Sequence, residues 1–211
     1  MNFPRTGAVI ATLSLAAMLA VSWALWDALP ELITTREATP DRAGVRVPRL
    51  LAAGALPAAL VLVVAALGAG VVVGRRAPAV LNTLFTLTPS RAALSVVLGT
   101  LPPFLLVLHT GLLVWTAGYA VPIEQIMAAS LGLLLVALGR ALPRVTPDLP
   151  EAPAREWKRA QRPGGLATTL VGVACAAAAW VLPPLPVAVA AVLLVAVVHL
   201  VMALVTVARL R

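Results

Sequence analysis

Few residues of this chain have side chains suited to catalysis, and they are widely separated. The 211 residues include two histidines, His109 and His199, and one cysteine, Cys175. All three fall in apolar stretches, where an ionisable side chain is costly and is usually kept for a function. If the two histidines face the interior of a helix bundle at similar depth, they favour a proton relay. The alternative is that each is neutral and hydrogen-bonded to a backbone carbonyl or a hydroxyl group.

The sequence does not predict a catalytic or metal site. A structural zinc site needs four ligands and an open one needs three, whereas these three side chains lie on three separate apolar stretches. Motifs of the G-x-S-x-G, H-E-x-x-H, Walker and dinucleotide-binding types do not occur in the sequence. We therefore predict a protein that is not an enzyme and that holds no metal and no cofactor.

The composition excludes an ordinary soluble domain. Hydrophobic residues make up 61% of the chain and charged residues only 11%, and the mean hydropathy is +1.00. Soluble domains carry about a quarter charged residues. The predicted fold class is thus all-α, a polytopic bundle of transmembrane helices. The net charge of +8 does not indicate nucleic acid, because the basic residues flank apolar stretches in the manner of membrane loops.

Six apolar stretches are long enough to span a bilayer as helices. Their predicted bounds are 6–26, 50–74, 92–117, 126–142, 166–182 and 187–208. The first stretch exceeds the apolar region of a signal peptide, which has about 7 to 15 residues, so we predict a retained helix. Short segments with proline join the last four spans into two helical hairpins. These hairpins are either a true duplication or a similarity of composition.

The basic residues predict the orientation of the bundle, with both termini inside. Twelve of the 16 lysines and arginines fall on the side of the termini, which the positive-inside rule assigns to the cytoplasm. The remaining four share the loop between the first two spans, and they are Arg36, Arg42, Arg46 and Arg49. An aromatic belt is predicted at the outer ends of spans one, three and five, from Trp23, Trp26, Trp115, Tyr119 and Trp180.

Two segments between spans are predicted not to cross the membrane. Residues 77–89 are uncharged and have apolar residues at near-helical spacing, which favours a helix lying on the inner surface. Residues 151–162 are either a short interfacial helix near anionic lipid or a solvated loop with one anchoring tryptophan. The candidate partner-binding or lipid-binding residues on this inner side are Arg144, Arg155, Trp157, Lys158, Arg159 and Arg162.

Two parts of the chain resemble a family of bacterial immunity membrane proteins. The outer loop is similar to the "LP-x-x-I…PD-x-x-G" motif of the N-terminal domain that precedes the SdpI-type region. The segments around spans four and five are similar to that family's "GN-x-LP-x" helix end and its "W-x-x-x-H-R-x-x-G" start of span five. The residues that carry the resemblance are Leu29, Pro30, Pro40, Asp41, Gly139, Pro143, Trp157 and Gly165.

The chain also departs from the family pattern. Arg140 stands where the family has asparagine, and the histidine and glycine between "LP" and "PD" are missing. The family's "G-x-R-[TS]-P-W-[TS]-L" segment is absent between Val145 and Arg155.

The resemblance implies a function for a multi-pass protein of the bacterial inner membrane. It implies an N-terminal two-span region over 1–91 and an SdpI-like four-span region over 92–211. The implied role is non-enzymatic: protection against a secreted peptide toxin, or retention of a transcriptional regulator at the inner surface. The partners expected are then the lipid bilayer and one of these two, and not a nucleic acid. The alternative that the residues leave open is a small transporter or channel subunit with a polar path near His109 and His199.

Overall fold

A computed structural model describes residues 5–36, 41, 43–76, 91–141 and 151–209. This part of the chain contains six α-helices and one small antiparallel sheet. The helices are α1 Arg5–Ala24, α2 Arg49–Arg76, α3 Arg91–Thr116, α4 Ile123–Ala141, α5 Glu151–Ala178 and α6 Pro184–Arg209. The sheet is a hairpin of β1 (Leu32–Arg36) and β2 (Val45–Pro48) between α1 and α2.

The helices are those of a multi-pass membrane protein. Five of the six, α1 to α4 and α6, are long and apolar enough to cross a membrane, which confirms the helical membrane fold at this level. The sequence analysis did not predict the β-hairpin. The predicted surface helix over 77–89 lies outside the described residues.

Helix α5 differs most from the predicted element. The sequence analysis placed a span at 166–182 and kept 151–162 apart from it. The structure instead joins both into one helix that continues through Pro163 and ends at Ala178. The solvated-loop alternative for 151–162 is therefore wrong, and so is the separation from the span. A membrane helix tolerates proline where neighbouring helices satisfy the freed backbone groups.

The first predicted hairpin turn is confirmed, whereas the second lies at 179–183 and not at the predicted 183–186. After α3 the backbone N–H of Tyr119 bonds to the carbonyl of Val114, and that of Gly118 bonds to the carbonyl of Trp115. Gly118 has a φ of 87°. This is a Schellman ending, which glycine adopts without strain because it has no Cβ. After α5, residues 179–183 turn the chain, and α6 begins at Pro184, where a missing N–H costs nothing.

The helices alternate in direction. The Cβ position of Gly7 lies 2.8 Å from Leu98, and Ser22 meets His109, so α1 and α3 run parallel. Helices α4 and α5 run antiparallel, because Gly139 faces Gly165 while Gly132 faces Gly172.

Consequently α1, α3 and α5 all end at one end of the bundle. This "tryptophan end" is defined by the exposed Trp23, Trp115 and Trp180. The opposite "arginine end" is defined by the exposed Arg5, Arg140 and Arg162.

The buried core is thin. One cluster joins Leu29, Ala53 and Leu113 at the tryptophan end, and another joins Leu135, Cys175 and Ala191 between α4, α5 and α6. Many large apolar side chains remain exposed, particularly along α6. In water so large an apolar surface would favour aggregation, whereas in a bilayer it is the surface that contacts lipid.

Candidate functional site

A buried polar cluster joins α1, α2 and α3. The imidazole of His109 is fully buried, and its Nε2 lies 2.8 Å from Ser22 Oγ and 3.2 Å from the carbonyl of Met18. The hydroxyl of Ser22 in turn donates to the carbonyl of Ala53 at 3.1 Å. This set of four residues is called the histidine junction below.

Pro57 explains why Ala53 needs this donor. In an α-helix the carbonyl of residue 53 accepts from the N–H of residue 57, but proline has no N–H. An unsatisfied carbonyl within a bilayer is unfavourable, because no water reaches it. Ser22 supplies the missing donor from the neighbouring helix, so the junction repairs a break that the sequence of α2 creates.

The hydrogen bonds fix which nitrogen of His109 carries a proton. Ser22 has one hydroxyl proton, which goes to Ala53, and the carbonyl of Met18 only accepts. Nε2 is therefore assigned as the N–H donor shared between Ser22 and Met18. The other nitrogen, Nδ1, is buried and has no hydrogen-bond partner among the described residues.

His199 stands in a different environment. It is half-buried on α6, and its Nδ1 bonds to the carbonyl of Val195 one turn earlier at 2.9 Å. Helix α3 packs on α1, α2 and α4, whereas α6 packs on α4 and α5. The bonds of His109 and His199 thus lead to different helices, and the structure does not bring the two rings into one polar path.

Helices α4 and α5 meet through glycine. A Cβ on Gly132 would lie 2.6 Å from the carbonyl oxygen of Gly172, and a Cβ on Gly139 would lie 2.6 Å from that of Gly165. Each helix spaces its two glycines by seven residues, which is two turns and therefore one face. The two backbones touch directly along this face, in the way that small residues allow in membranes. This set of four glycines is called the glycine contact below.

The residues that carry the family resemblance are divided between packing and exposed positions. Gly139 and Gly165, from two separate motifs, contact each other in the glycine contact. Leu29 is buried against Ala53 and Leu113 at the tryptophan end. The exposed members are Pro30 and Asp41. Pro40 and Pro143 lie outside the described residues.

One basic residue of the candidate partner site, Arg162, lies near the glycine contact. Arg162 is exposed at the arginine end, as is Arg140, which follows Gly139 directly. The backbone of α5 carries Arg155, Trp157, Lys158 and Arg159; their side chains, and the whole of Arg144, lie outside the described residues.

The sequence analysis missed one cavity. A groove of about 280 Å³ lies between α3, α4 and α6. Its lining is almost entirely apolar and includes one exposed acidic residue, and the residues are Phe104, Leu108, Glu124, Met127, Ala128, Leu131, Pro184, Leu185 and Ala188. This set is called the membrane groove below. The spacing of Glu124, Met127 and Leu131 on one face of α4 was a visible signal, but the sequence does not show which helices pack beside that face.

No protein-family model, curated protein or solved structure matches this chain. The SdpI-type resemblance therefore stands on the motif residues themselves. Two of them, Leu29 and Gly139, have packing roles that explain why those residue types stand there, and Gly139 meets the backbone of a third, Gly165.

Proposed function

We propose that this chain is a six-span, non-enzymatic protein of the bacterial inner membrane, of the SdpI immunity type, with both termini in the cytoplasm. In this role it protects the membrane against a secreted peptide toxin and binds its partner at the arginine end. The observation that carries the proposal is the glycine contact, because it unites two motifs of the resemblance in one rigid hairpin.

The glycine contact also supports a membrane crossing by α5. The apolar part of α5 runs antiparallel along α4, from Gly165 beside Gly139 to Gly172 beside Gly132. Helix α4 is long and apolar enough to cross a membrane. Two helices whose backbones touch over two turns lie at the same depth, so α5 crosses where α4 does.

The distribution of charge supports the cytoplasmic placement of the arginine end. The exposed Arg5, Arg140 and Arg162 all lie there, and cytoplasmic loops carry an excess of lysine and arginine. The exposed tryptophans gather at the opposite end, where their amphipathic rings suit the membrane interface.

A partner face at the arginine end follows from the same hairpin. Arg140 and Arg162 flank the contact between Gly139 and Gly165, next to the basic half of α5 that contains Trp157. A basic segment with an aromatic anchor attracts anionic surfaces, either lipid headgroups or an acidic protein. Transport through the bundle is less well supported, because the two histidines bond to different helices.

Resistance to peptides tests this proposal. Cells with and without the chain are exposed to membrane-active peptides secreted by competing bacteria, and survival and membrane potential are measured. Wild type should protect. The double variant Trp157→Ala/Arg159→Glu should insert normally, because Arg140 and Arg162 remain, and should lose protection.

The matched control makes the same two changes at the other end of the bundle. The variant Trp180→Ala/Arg46→Glu should keep protection. If both double variants protect as wild type does and copurify with the same proteins, the basic segment serves only topology. If the chain gives no protection but holds a cytoplasmic protein at the membrane through Trp157 and Arg159, its role is retention of a regulator.

A further inference from the structure

The membrane groove opens in the half of the bundle nearest the tryptophan end. Its walls include Glu124 in the first turn of α4 and Leu185 in the first turn of α6, both of which start at that end. Leu108 from the second half of α3 forms the third wall. In the proposed orientation, the groove therefore faces the outer leaflet.

One charged residue lines the groove. Glu124 is the only charged residue among those that line the groove. The nearby connections 117–122 and 179–183 contain no charged residue at all. Among the described residues, none forms an ion pair with Glu124. An occupant of the groove therefore meets apolar surface along its length, and the exposed Glu124 stands at one end.

These walls favour one kind of occupant. The dipole of α4 accounts for an acidic residue in its first turn, but not for the apolar groove beside it. An anionic phospholipid would bring its net negative headgroup toward Glu124, and like charges repel. An apolar chain with a positive group at its end satisfies both parts, because lysine and arginine lay their stems along apolar surface and extend their charge to a polar partner.

We propose that the membrane groove is the docking site of a cationic membrane-active peptide. Apolar side chains of the peptide fill the space between α3, α4 and α6, and one lysine or arginine pairs with Glu124. This assignment rests on the proposed immunity function, because it gives the toxin a binding site on the outer side, away from the arginine end.

Photocrosslinking with a defined peptide tests the assignment without knowledge of the natural toxin. The probe is a synthetic amphipathic leucine–lysine peptide with a photoreactive diazirine on one leucine. The matched probe replaces each lysine by glutamine. Purified full-length protein in phosphatidylcholine vesicles is irradiated with either peptide, and mass spectrometry locates the crosslinked residues. The lysine peptide should crosslink to Met127, Leu131 and Leu185, and the glutamine peptide should do so roughly fivefold less.

Two variants separate charge from shape. Glu124→Gln keeps the size of the side chain and should lower crosslinking by the lysine peptide about fivefold, to the level of the glutamine peptide. Ala188→Phe fills the groove and should abolish crosslinking there, whereas Ala190→Phe on the exposed side of α6 should leave it unchanged. Because Glu124→Gln keeps the shape of the side chain, it tests the role of the charge even if Ala188→Phe fails to insert.

The assignment is overturned if the two peptides crosslink equally, or if labelling spreads evenly over the lipid-facing helices. Either result means that lipid alone fills the groove. This failure is distinct from failure of the proposed function. If wild type protects cells and both groove variants protect equally, the docking site is wrong and immunity stands. If crosslinking follows the predicted pattern but wild type gives no protection, the groove binds the peptide and the immunity function is wrong.

Discussion

The histidine junction and the glycine contact hold helices together in two different ways. At the histidine junction, side chains of α1 and α3 form hydrogen bonds that bridge three helices. At the glycine contact, α4 and α5 have almost no side chain between them, and their backbones touch. Helices in a bilayer gain little from burying apolar surface against each other, because lipid is equally apolar. Each region therefore uses one of the two remaining forces, hydrogen bonding or close van der Waals packing.

This difference predicts how each region responds to substitution. The junction depends on a few polar atoms, so removing one atom removes one bond. The glycine contact depends on the absence of side chains. Adding one methyl group therefore pushes the backbones of α4 and α5 apart, because neither backbone can move without the rest of its helix.

The largest effect is expected at the glycine contact. Gly132→Ala would place a methyl group 2.6 Å from the backbone of Gly172 and of Ala176, and overpacking against a rigid neighbour costs about 3 kcal/mol. Unfolding free energy in detergent measures this loss. The matched control is Gly68→Ala on α2, where a Cβ meets nothing within 4 Å. It should be neutral or stabilising by up to about 1 kcal/mol, because alanine favours helix. An equal change in unfolding free energy for Gly132→Ala and Gly68→Ala would contradict the close approach of the two backbones at the glycine contact.

A smaller effect is expected from His109→Ala. This change removes the hydrogen bonds to Ser22 and Met18 and leaves a cavity, so we expect a loss of about 2 kcal/mol in unfolding free energy. His199→Ala is the matched control and should cost less than about 1 kcal/mol, because among the described residues that ring bonds to its own helix alone. A greater loss for His199 than for His109 would show that the polar network lies elsewhere.

The smallest effect, and the sharpest, concerns Ser22 and Pro57. Ser22→Ala leaves the carbonyl of Ala53 without a donor and should cost about 1 kcal/mol. In a Pro57→Ala background the helix itself provides an N–H for that carbonyl, so the same change should cost less. A double-mutant cycle measures the difference, which we expect to be about 1 kcal/mol. Strict additivity of the two changes would mean that Ser22 does not replace the bond lost at Pro57.

Hydropathy, proline and glycine predict much of this fold but little of its packing. The five helices that are apolar enough to cross a membrane follow from apolar length, and the first turn follows from Gly118, whereas the second turn begins four residues before the predicted one. The hydrogen-bond partners of His109 could not be predicted in this way, because Ser22 lies 87 residues away in sequence. The sequence does not show which helix faces become neighbours. Pro57 alone implies a freed carbonyl on Ala53, yet only packing decides which donor reaches it.

Some features had signals that the sequence analysis did not use. Seven-residue spacing from Gly132 to Gly139 and from Gly165 to Gly172 indicates two glycine faces, but Gly139 and Gly165 were considered only as motif residues. The β-branched residues in β1 and β2 are typical of strands, and the β-hairpin that they form was not predicted. Pro163 with its two following glycines suggests a helix break, which the contacts of α5 with α4 override.

The central claim is that α5 crosses the membrane, because this crossing gives six spans and puts the C-terminus on the same side as the arginine end. Cysteine labelling tests it directly, since the chain has only Cys175 and Cys175→Ala removes it. In that background a single cysteine is placed by Tyr119→Cys, Leu182→Cys, Arg162→Cys or Arg211→Cys. A membrane-impermeant maleimide should label the first two in intact cells, and the last two only after the membrane is permeabilised. Labelling of Arg211→Cys in intact cells, with Leu182→Cys protected, would show that α5 does not cross and would contradict the account.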